Sequence, residues 1–169
     1  MATPQGAALP IILDLTVKGG KRVFNPATDT LGAGDNIKQS VASGAITIGS
    51  PVYPDSDGTV AMGQANASNP SCIVGIACNA AADAAPVGFV TTGPLELTTV
   101  QWDAVIDGVA TGGLTPGEVY YLSDANAGGL IPSADAAASG LANPDNLVVV
   151  GRAVTSTCMI VDVIDPLPL

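Results

Sequence analysis

Apolar residues in this chain come in short bursts. Runs of two to eight residues rich in Val, Ile, Thr and Tyr are separated by clusters of Gly, Pro, Asn, Asp and Ser. Short β-branched runs bounded by turn residues are the pattern of an all-β protein with many turns. The strands predicted this way are Ile11–Val17, Lys21–Phe24, Ala45–Ile48, Pro51–Tyr53, Thr59–Met62, Ile73–Cys78, Gly88–Thr92, Glu96–Leu97, Glu118–Leu122, Gly129–Ile131, Leu147–Val154 and Met159–Ile164. Asp57-Gly58, between two of them, reads as a hairpin turn. Pro51 and Pro54 flank Val52-Tyr53, which predicts an edge or kinked strand, because proline offers no N–H to a ladder. The expected architecture is a small β-barrel or β-sandwich with one short helix.

That helix is read from one stretch of different period. Trp102, Val105, Ile106 and Val109 fall at i, i+3, i+4 and i+7, one face of a helix over Thr99–Val109. Thr98 with Gln101 three residues later has the form of a capping box. Trp102 is expected to pin the helix over the end of the β core, since its large apolar area is better hidden than exposed.

A faint internal repeat runs through the chain. Gly49-Ser50-Pro51-Val52-Tyr53, Gly58-Thr59-Val60, Asn69-Pro70 and Val74-Gly75-Ile76-Ala77 have counterparts in the same order. These are Gly117-Glu118-Val119-Tyr120-Tyr121, Gly129-Leu130-Ile131, Asn143-Pro144 and Val150-Gly151-Arg152-Ala153. Two such units could close into a barrel or pack as two small sheets. Gln64–Ser71 and Ser133–Asn146 read as polar loops in matching places.

Composition narrows the function. Fifteen acidic residues against five basic ones give a net charge of -10. That balance opposes nucleic acid or an anionic membrane surface as partner. No apolar run approaches the roughly 18–20 residues needed to span a bilayer, and the N-terminus lacks the pattern of a secretory signal. Histidine is absent, which removes the commonest general base and most zinc sites. Lys18, Lys21, Arg22 and Lys38 are four of the five cations, all early in the chain. Residues 1–43 are therefore expected to form an extended N-terminal arm and attachment segment, and residues 44–169 a β-rich domain. Cys72, Cys78 and Cys158 are an odd set, read as buried small hydrophobes rather than a disulfide framework.

Candidate chemistry is thin. Asp103 and Asp107 lie four apart on the predicted helix, but a glycosidase pair needs two carboxylates facing one cleft. Asp124, Asn126, Gly129 and Asp135 match positions 1, 3, 6 and 12 of a calcium loop, with Gly128 and Pro132 at positions that break it. Asp55-Ser56-Asp57-Gly58 is a second fragment of the same kind, and turns alone call for these residues. Lys18-Gly19-Gly20-Lys21 is too short to cradle a phosphate. No catalytic, metal or cofactor-binding residue is assigned, and the chain is read as a non-enzyme.

The run Gly112-Gly113-Leu114-Thr115-Pro116-Gly117-Glu118-Val119-Tyr120-Tyr121-Leu122 precedes Gly128-Gly129-Leu130 and Val149-Val150-Gly151-Arg152-Ala153-Val154. Together these resemble modules of tailed-bacteriophage virion proteins, both small capsid-decoration proteins and some tail-fibre segments. Gly49-Ser50-Pro51-Val52, Gly58-Thr59-Val60 and Val74-Gly75-Ile76-Ala77 resemble the equivalent run of head-decoration proteins. The resemblance covers roughly residues 44 to 163. It implies a structural virion protein on the outer surface of the head, assembled in the host cytoplasm, homotrimeric, and partnered with the major capsid protein. It brings no catalytic residue and no cofactor. The chain's end soon after its last predicted strand favours a stand-alone decoration protein. The alternative is a tail-fibre or baseplate module binding a receptor or glycan, with Trp102, Tyr120 or Tyr121 as candidate contacts.

Overall fold

The structure is a computed structural model that describes residues 36–55, 58–66, 68–108, 111–136 and 146–168. The first five strands are β1 (Ile37–Val41), β2 (Pro51–Pro54), β3 (Val60–Met62), β4 (Gly75–Ala77) and β5 (Pro86–Val90). The chain continues through β6 (Thr92–Glu96), helix α1 (Thr99–Asp103), β7 (Val119–Leu122) and β8 (Leu130–Pro132). Helix α2 (Ser133–Ala136), β9 (Asn146–Leu147), β10 (Val149–Ala153), β11 (Cys158–Asp162) and β12 (Leu167–Pro168) complete it. The fold is all-β, with two five-stranded antiparallel sheets ordered β1-β5-β4-β2-β3 and β6-β11-β10-β7-β8, and a small β12-β9 pair.

The two orders are the same order. Replacing β1, β2, β3, β4 and β5 by β6, β7, β8, β10 and β11 converts one sheet into the other. In the first unit Ala42, directly after β1, bridges in parallel to Val60 on β3, so that sheet curls until its two ends meet, the economical way for short strands to shed open edges. In the second unit the segment after α1, not β6, covers the edge of β8, with Ile106 bridging in parallel to Leu130. The repeat seen in sequence is a duplicated five-stranded unit. Its lengths diverge most between the first and second strands, where the second unit carries α1, and again between the third and fourth, where it carries α2 and β9.

Register makes the correspondence residue by residue. Pro51, Ile76, Val90 and Ile37 pair in a row across β2, β4, β5 and β1. Val119, Arg152, Ile160 and Pro94 form the same row across β7, β10, β11 and β6. Gly75 and Gly151 then become equivalent, and both are there for the same steric reason. A Cβ on Gly75 would lie 2.3 Å from the Val90 carbonyl oxygen, and one on Gly151 would lie 2.3 Å from that of Ile160. The turn glycines pair too: Gly58 has φ +74° and Gly128 φ +76°, each before the third strand of its unit.

The core has two parts. Ala42, Val52, Val60, Ala77, Val87 and Phe89 fill the inside of the first unit. A larger cluster fills the second unit around Trp102, Leu95, Tyr120, Leu122 and Met159, and it reaches across to Ile76, Cys78 and Val90. β4 and β5 are therefore covered on both faces, which is why their sequences show no clean alternation.

Several elements depart from the sequence reading. Ile37–Val41, assigned to the arm, is a strand whose polar Lys38, Gln39 and Ser40 mask it; as the first strand of its sheet it needs little apolar content. The Pro51–Pro54 strand is not an edge, since it lies between β4 and β3. Its prolines sit at the strand ends, where their carbonyls accept bonds and no N–H is demanded; Gly63 N–H, for example, donates to Pro51 O at 2.9 Å. Ala45–Ile48 makes only one isolated bridge, Ile46 to Ala81. Helix α1 begins with the predicted capping box, Thr98 N–H donating to Gln101 Oε1 at 2.8 Å. It stops at Asp103, short of Val109, because Val105 and Asp107 give their backbone groups to Leu130. A second helix, α2, replaces part of the expected polar loop, and its Ala134 N–H donates to the Glu118 carboxylate at 2.6 Å. Residues 1–35, including the predicted strands Ile11–Val17 and Lys21–Phe24, lie outside the described residues.

Candidate functional site

A cleft of about 480 Å³ opens between the two units, lined by Thr47, Ser50 and Met62 from the first and Asp103, Asp107 and Gly128 from the second. The two aspartates of the sequence reading do meet here, but each is engaged. Asp103 Oδ1 and Oδ2 accept from the N–H groups of Gly113 and Gly112 at 2.8 and 3.1 Å. Asp107 accepts from the Ser123 hydroxyl and from Asn126 Nδ2, the latter at 2.9 Å. Ser123 is fully buried and its Oγ also accepts from Ala125 and Asn126 N–H. The carboxylates therefore act as clasps. Asp103 holds the loop that follows the helix, and Asp107 with Ser123 holds the turn between β7 and β8.

The calcium-loop candidates come apart in the same way. Asn126 turns its amide to Asp107, while the Asp124 backbone carbonyl accepts from Gln64 Nε2 at 2.8 Å. Asp135 stands on α2 beside a separate depression of about 230 Å³. Among the described residues no three acidic or sulfur side chains converge as a metal would need. Asp55 accepts from Ser43 Oγ at 2.9 Å, and Asp57 lies outside the described residues.

The aromatic candidates divide. Trp102 is completely buried and its Nε1 donates to Thr157 O at 2.9 Å. Tyr120 is buried as well, its hydroxyl accepting from Thr115 N–H at 2.9 Å. Tyr121, next along the strand and pointing the opposite way, is half-buried on the outer face. The receptor-binding alternative keeps one of its three aromatic contacts.

The thiols are all free, and of the three expected to be buried only Cys78 is; Cys158 is half-buried. Cys72 is exposed, because residues 68–71 make turns and β4 begins only at Gly75. Burial pushes the Cys78 thiol up to about 11, and burial together with the Glu96 charge raises that of Cys158. A maleimide at neutral pH is expected to label Cys72 first and to leave Cys78 unmodified until the protein unfolds. Peptide mass mapping over time checks this; labelling of Cys78 at the rate of Cys72 would contradict the packing of β4.

What remains on the surface is the outer face of the second sheet. Arg152 on β10 and Val154 just after it stand beside Ile160 and Cys158 on β11, with Val119 and Pro94 extending the row to either side and Glu96 paired with Cys158. Ile160 is 39% and Val154 53% exposed. Arg152 is exposed and its Nη1 donates to Gly117 O at 2.8 Å, which fixes the guanidinium over the sheet. Sequence reasoning did not select this face, although the repeat could have pointed to it. Lys38, on β1, is the other cation among the described residues, while Lys18, Lys21 and Arg22 lie outside them.

No protein-family model and no curated protein matches this chain. Among the described residues no helix is long and apolar enough to cross a membrane.

Proposed function

We propose that this chain is a structural virion protein that binds the outer surface of a tailed-bacteriophage head and stabilises it, as a homotrimer seated on the major capsid protein. The observation that supports the reading is the placement of the decoration-like runs. Gly49-Ser50-Pro51-Val52 with Val74-Gly75-Ile76-Ala77, and Gly117-Glu118-Val119-Tyr120 with Val150-Gly151-Arg152-Ala153, lead into or lie on equivalent strands of the two units. The motif is thus the frame of each unit, not a chance string in a loop. Both acidic side chains of the cleft are tied to loops, so the strongest groups there serve structure.

The physical basis is additive. Each copy buries contacts across a seam between capsid subunits, and whatever binds only the assembled shell stabilises it by mass action. A trimer engages three equivalent sites at once, and simultaneous engagement raises avidity above one weak contact. The N-terminal cations Lys18, Lys21 and Arg22 supply attachment to an acidic partner.

Cryo-electron microscopy of intact particles tests the reading. Density for this chain is expected on the outside of the head, and heads lacking it are expected to release DNA at lower temperature. Density on the tail or baseplate with none on the head would replace this reading with the receptor- or glycan-binding module.

A further inference from the structure

The cleft between the two units contains a polar group that the fold leaves unsatisfied. Ser50, just before β2, is only 1% exposed, and it lines the cleft. Among the described residues every fully enclosed polar side-chain atom has a hydrogen-bond partner. The Ser50 hydroxyl makes no hydrogen bond to any of them, so the little surface it keeps opens onto the cleft. The duplication shows what is missing. Pro51 and Val119 share a row, so Ser50 matches Glu118. The Glu118 carboxylate accepts from Ser133 Oγ and from Ala134 N–H. In the second unit the chain supplies a partner from α2; in the first it supplies none.

The other polar groups around Ser50 are mainly acceptors. Asp103 and Asp107 each take two hydrogen bonds from the protein, and a carboxylate has room for about four. Asn126 gives its Nδ2 to Asp107 and keeps its amide oxygen. No Lys, Arg or aromatic side chain lines the cleft, and Met62 adds an apolar wall. Acceptors with two formal negative charges and no compensating cation call for a ligand that donates and is positive. The donor set does not suit a bare metal ion, because among the described residues three ligating side chains do not converge. A sugar would need donors as well as acceptors. The volume of about 480 Å³ admits a carbon chain behind a charged head. From this we infer that the cleft binds an ammonium or guanidinium group on an unbranched aliphatic stem, carried by a lysine or arginine side chain of another polypeptide or by a free polyamine. Ser50 Oγ and the spare lone pairs of Asp103 and Asp107 receive the head, and Met62 covers the stem. The loop bonds that hold the two carboxylates fix these acceptors before the ligand arrives, which lowers the cost of binding. Gly128 keeps Ser50 accessible, since a Cβ there would lie 2.7 Å from both Ser50 Oγ and Met62 Sδ.

The inference does not rest on the capsid reading. The test titrates the full, isotope-labelled chain in heteronuclear NMR with Nα-acetyl-lysine methylamide, Nα-acetyl-arginine methylamide and putrescine. Saturable shifts are expected at the amides of Gly108, Gly128 and Gly129 and at the Asn126 side chain, all on the cleft, with affinity falling as salt rises. Ser50→Ala is expected to weaken binding about three- to tenfold, the worth of one hydrogen bond. Its melting temperature is expected to match the wild type, because that hydroxyl bonds to nothing in the protein. Asp103→Asn is expected to weaken binding about tenfold or more; if it fails to fold, Ser50→Ala decides. A lysine probe acetylated on Nζ has the same stem without the charge and is expected not to bind. Tighter binding of the lysine or arginine probe assigns a polypeptide source and tighter binding of putrescine a polyamine, and either result supports the inference. No saturable shift with any of the three, equal binding of the acetylated probe, or Ser50→Ala binding as the wild type does, overturns it.

Discussion

Trp102→Ala is expected to destabilise the protein by about 3–5 kcal/mol, the range for emptying a fully packed large aromatic site. Trp102 is the largest fully buried side chain and lies in the same cluster as Leu95, Val105, Tyr120 and Met159. Its removal leaves a cavity where α1 meets the second sheet, and it also strands the Thr157 carbonyl that accepts its indole N–H. Trp102→Phe separates the two effects, since it keeps most of the ring and loses the hydrogen bond; about 1–2 kcal/mol is expected from that loss. Urea unfolding followed by circular dichroism measures both. A loss below about 1 kcal/mol for the alanine variant would mean that the helix does not depend on this anchor.

Gly151→Ala is the other large effect, expected to cost about 3 kcal/mol, the upper end for overpacking. The added methyl would sit 2.3 Å from the Ile160 carbonyl oxygen and about 3 Å from the Met159 side chain, and the carbonyl is backbone that cannot rotate away. β10 and β11 would have to separate, and the sheet would lose register beside a point where the β10–β7 pairing already shifts. Gly75→Ala should behave alike, because its methyl meets the Val90 carbonyl at the same distance. Gly58→Ala is the control. Its φ is +74° but nothing lies within 4 Å of the added atom, so only backbone strain of about 1–2 kcal/mol is incurred. Equal midpoints for Gly151→Ala and Gly58→Ala in the same denaturant series would refute the close-approach argument.

The sequence made some of this legible and hid the rest, for physical reasons that differ from residue to residue. The capping box at Thr98 and the buried face of Trp102, Val105 and Ile106 were readable because both are local. The end of α1 was not, since it is set by Leu130, more than twenty positions away, which takes the backbone groups of Val105 and Asp107. β1 was missed because a strand with a single partner needs few apolar residues, and Lys38, Gln39 and Ser40 read as polar chain. The repeat was visible as spaced glycines, yet its meaning lay in pairing, which shows Gly75 and Gly151 facing equivalent carbonyls, those of Val90 and Ile160. Asp103 and Asp107 were found and given no catalytic assignment, but their actual partners were hidden. Spacing brings carboxylates together; only the backbone donors at Gly112 and Gly113 and the Ser123 hydroxyl reveal that they are holding loops.

The burial of β4 and β5 on both faces bears on how the protein is made. A ribosome releases the first unit complete while Ile76, Cys78 and Val90 still have nothing to cover them. Residues 93–169 follow over roughly 4–15 s at ~5–20 residues per second. During that interval the nascent chain displays an apolar sheet face that the finished protein never shows. A pause, a truncation or a slow second unit would prolong the exposure, so yield in the cell is set by the speed of the second half and by chaperone capture of the first.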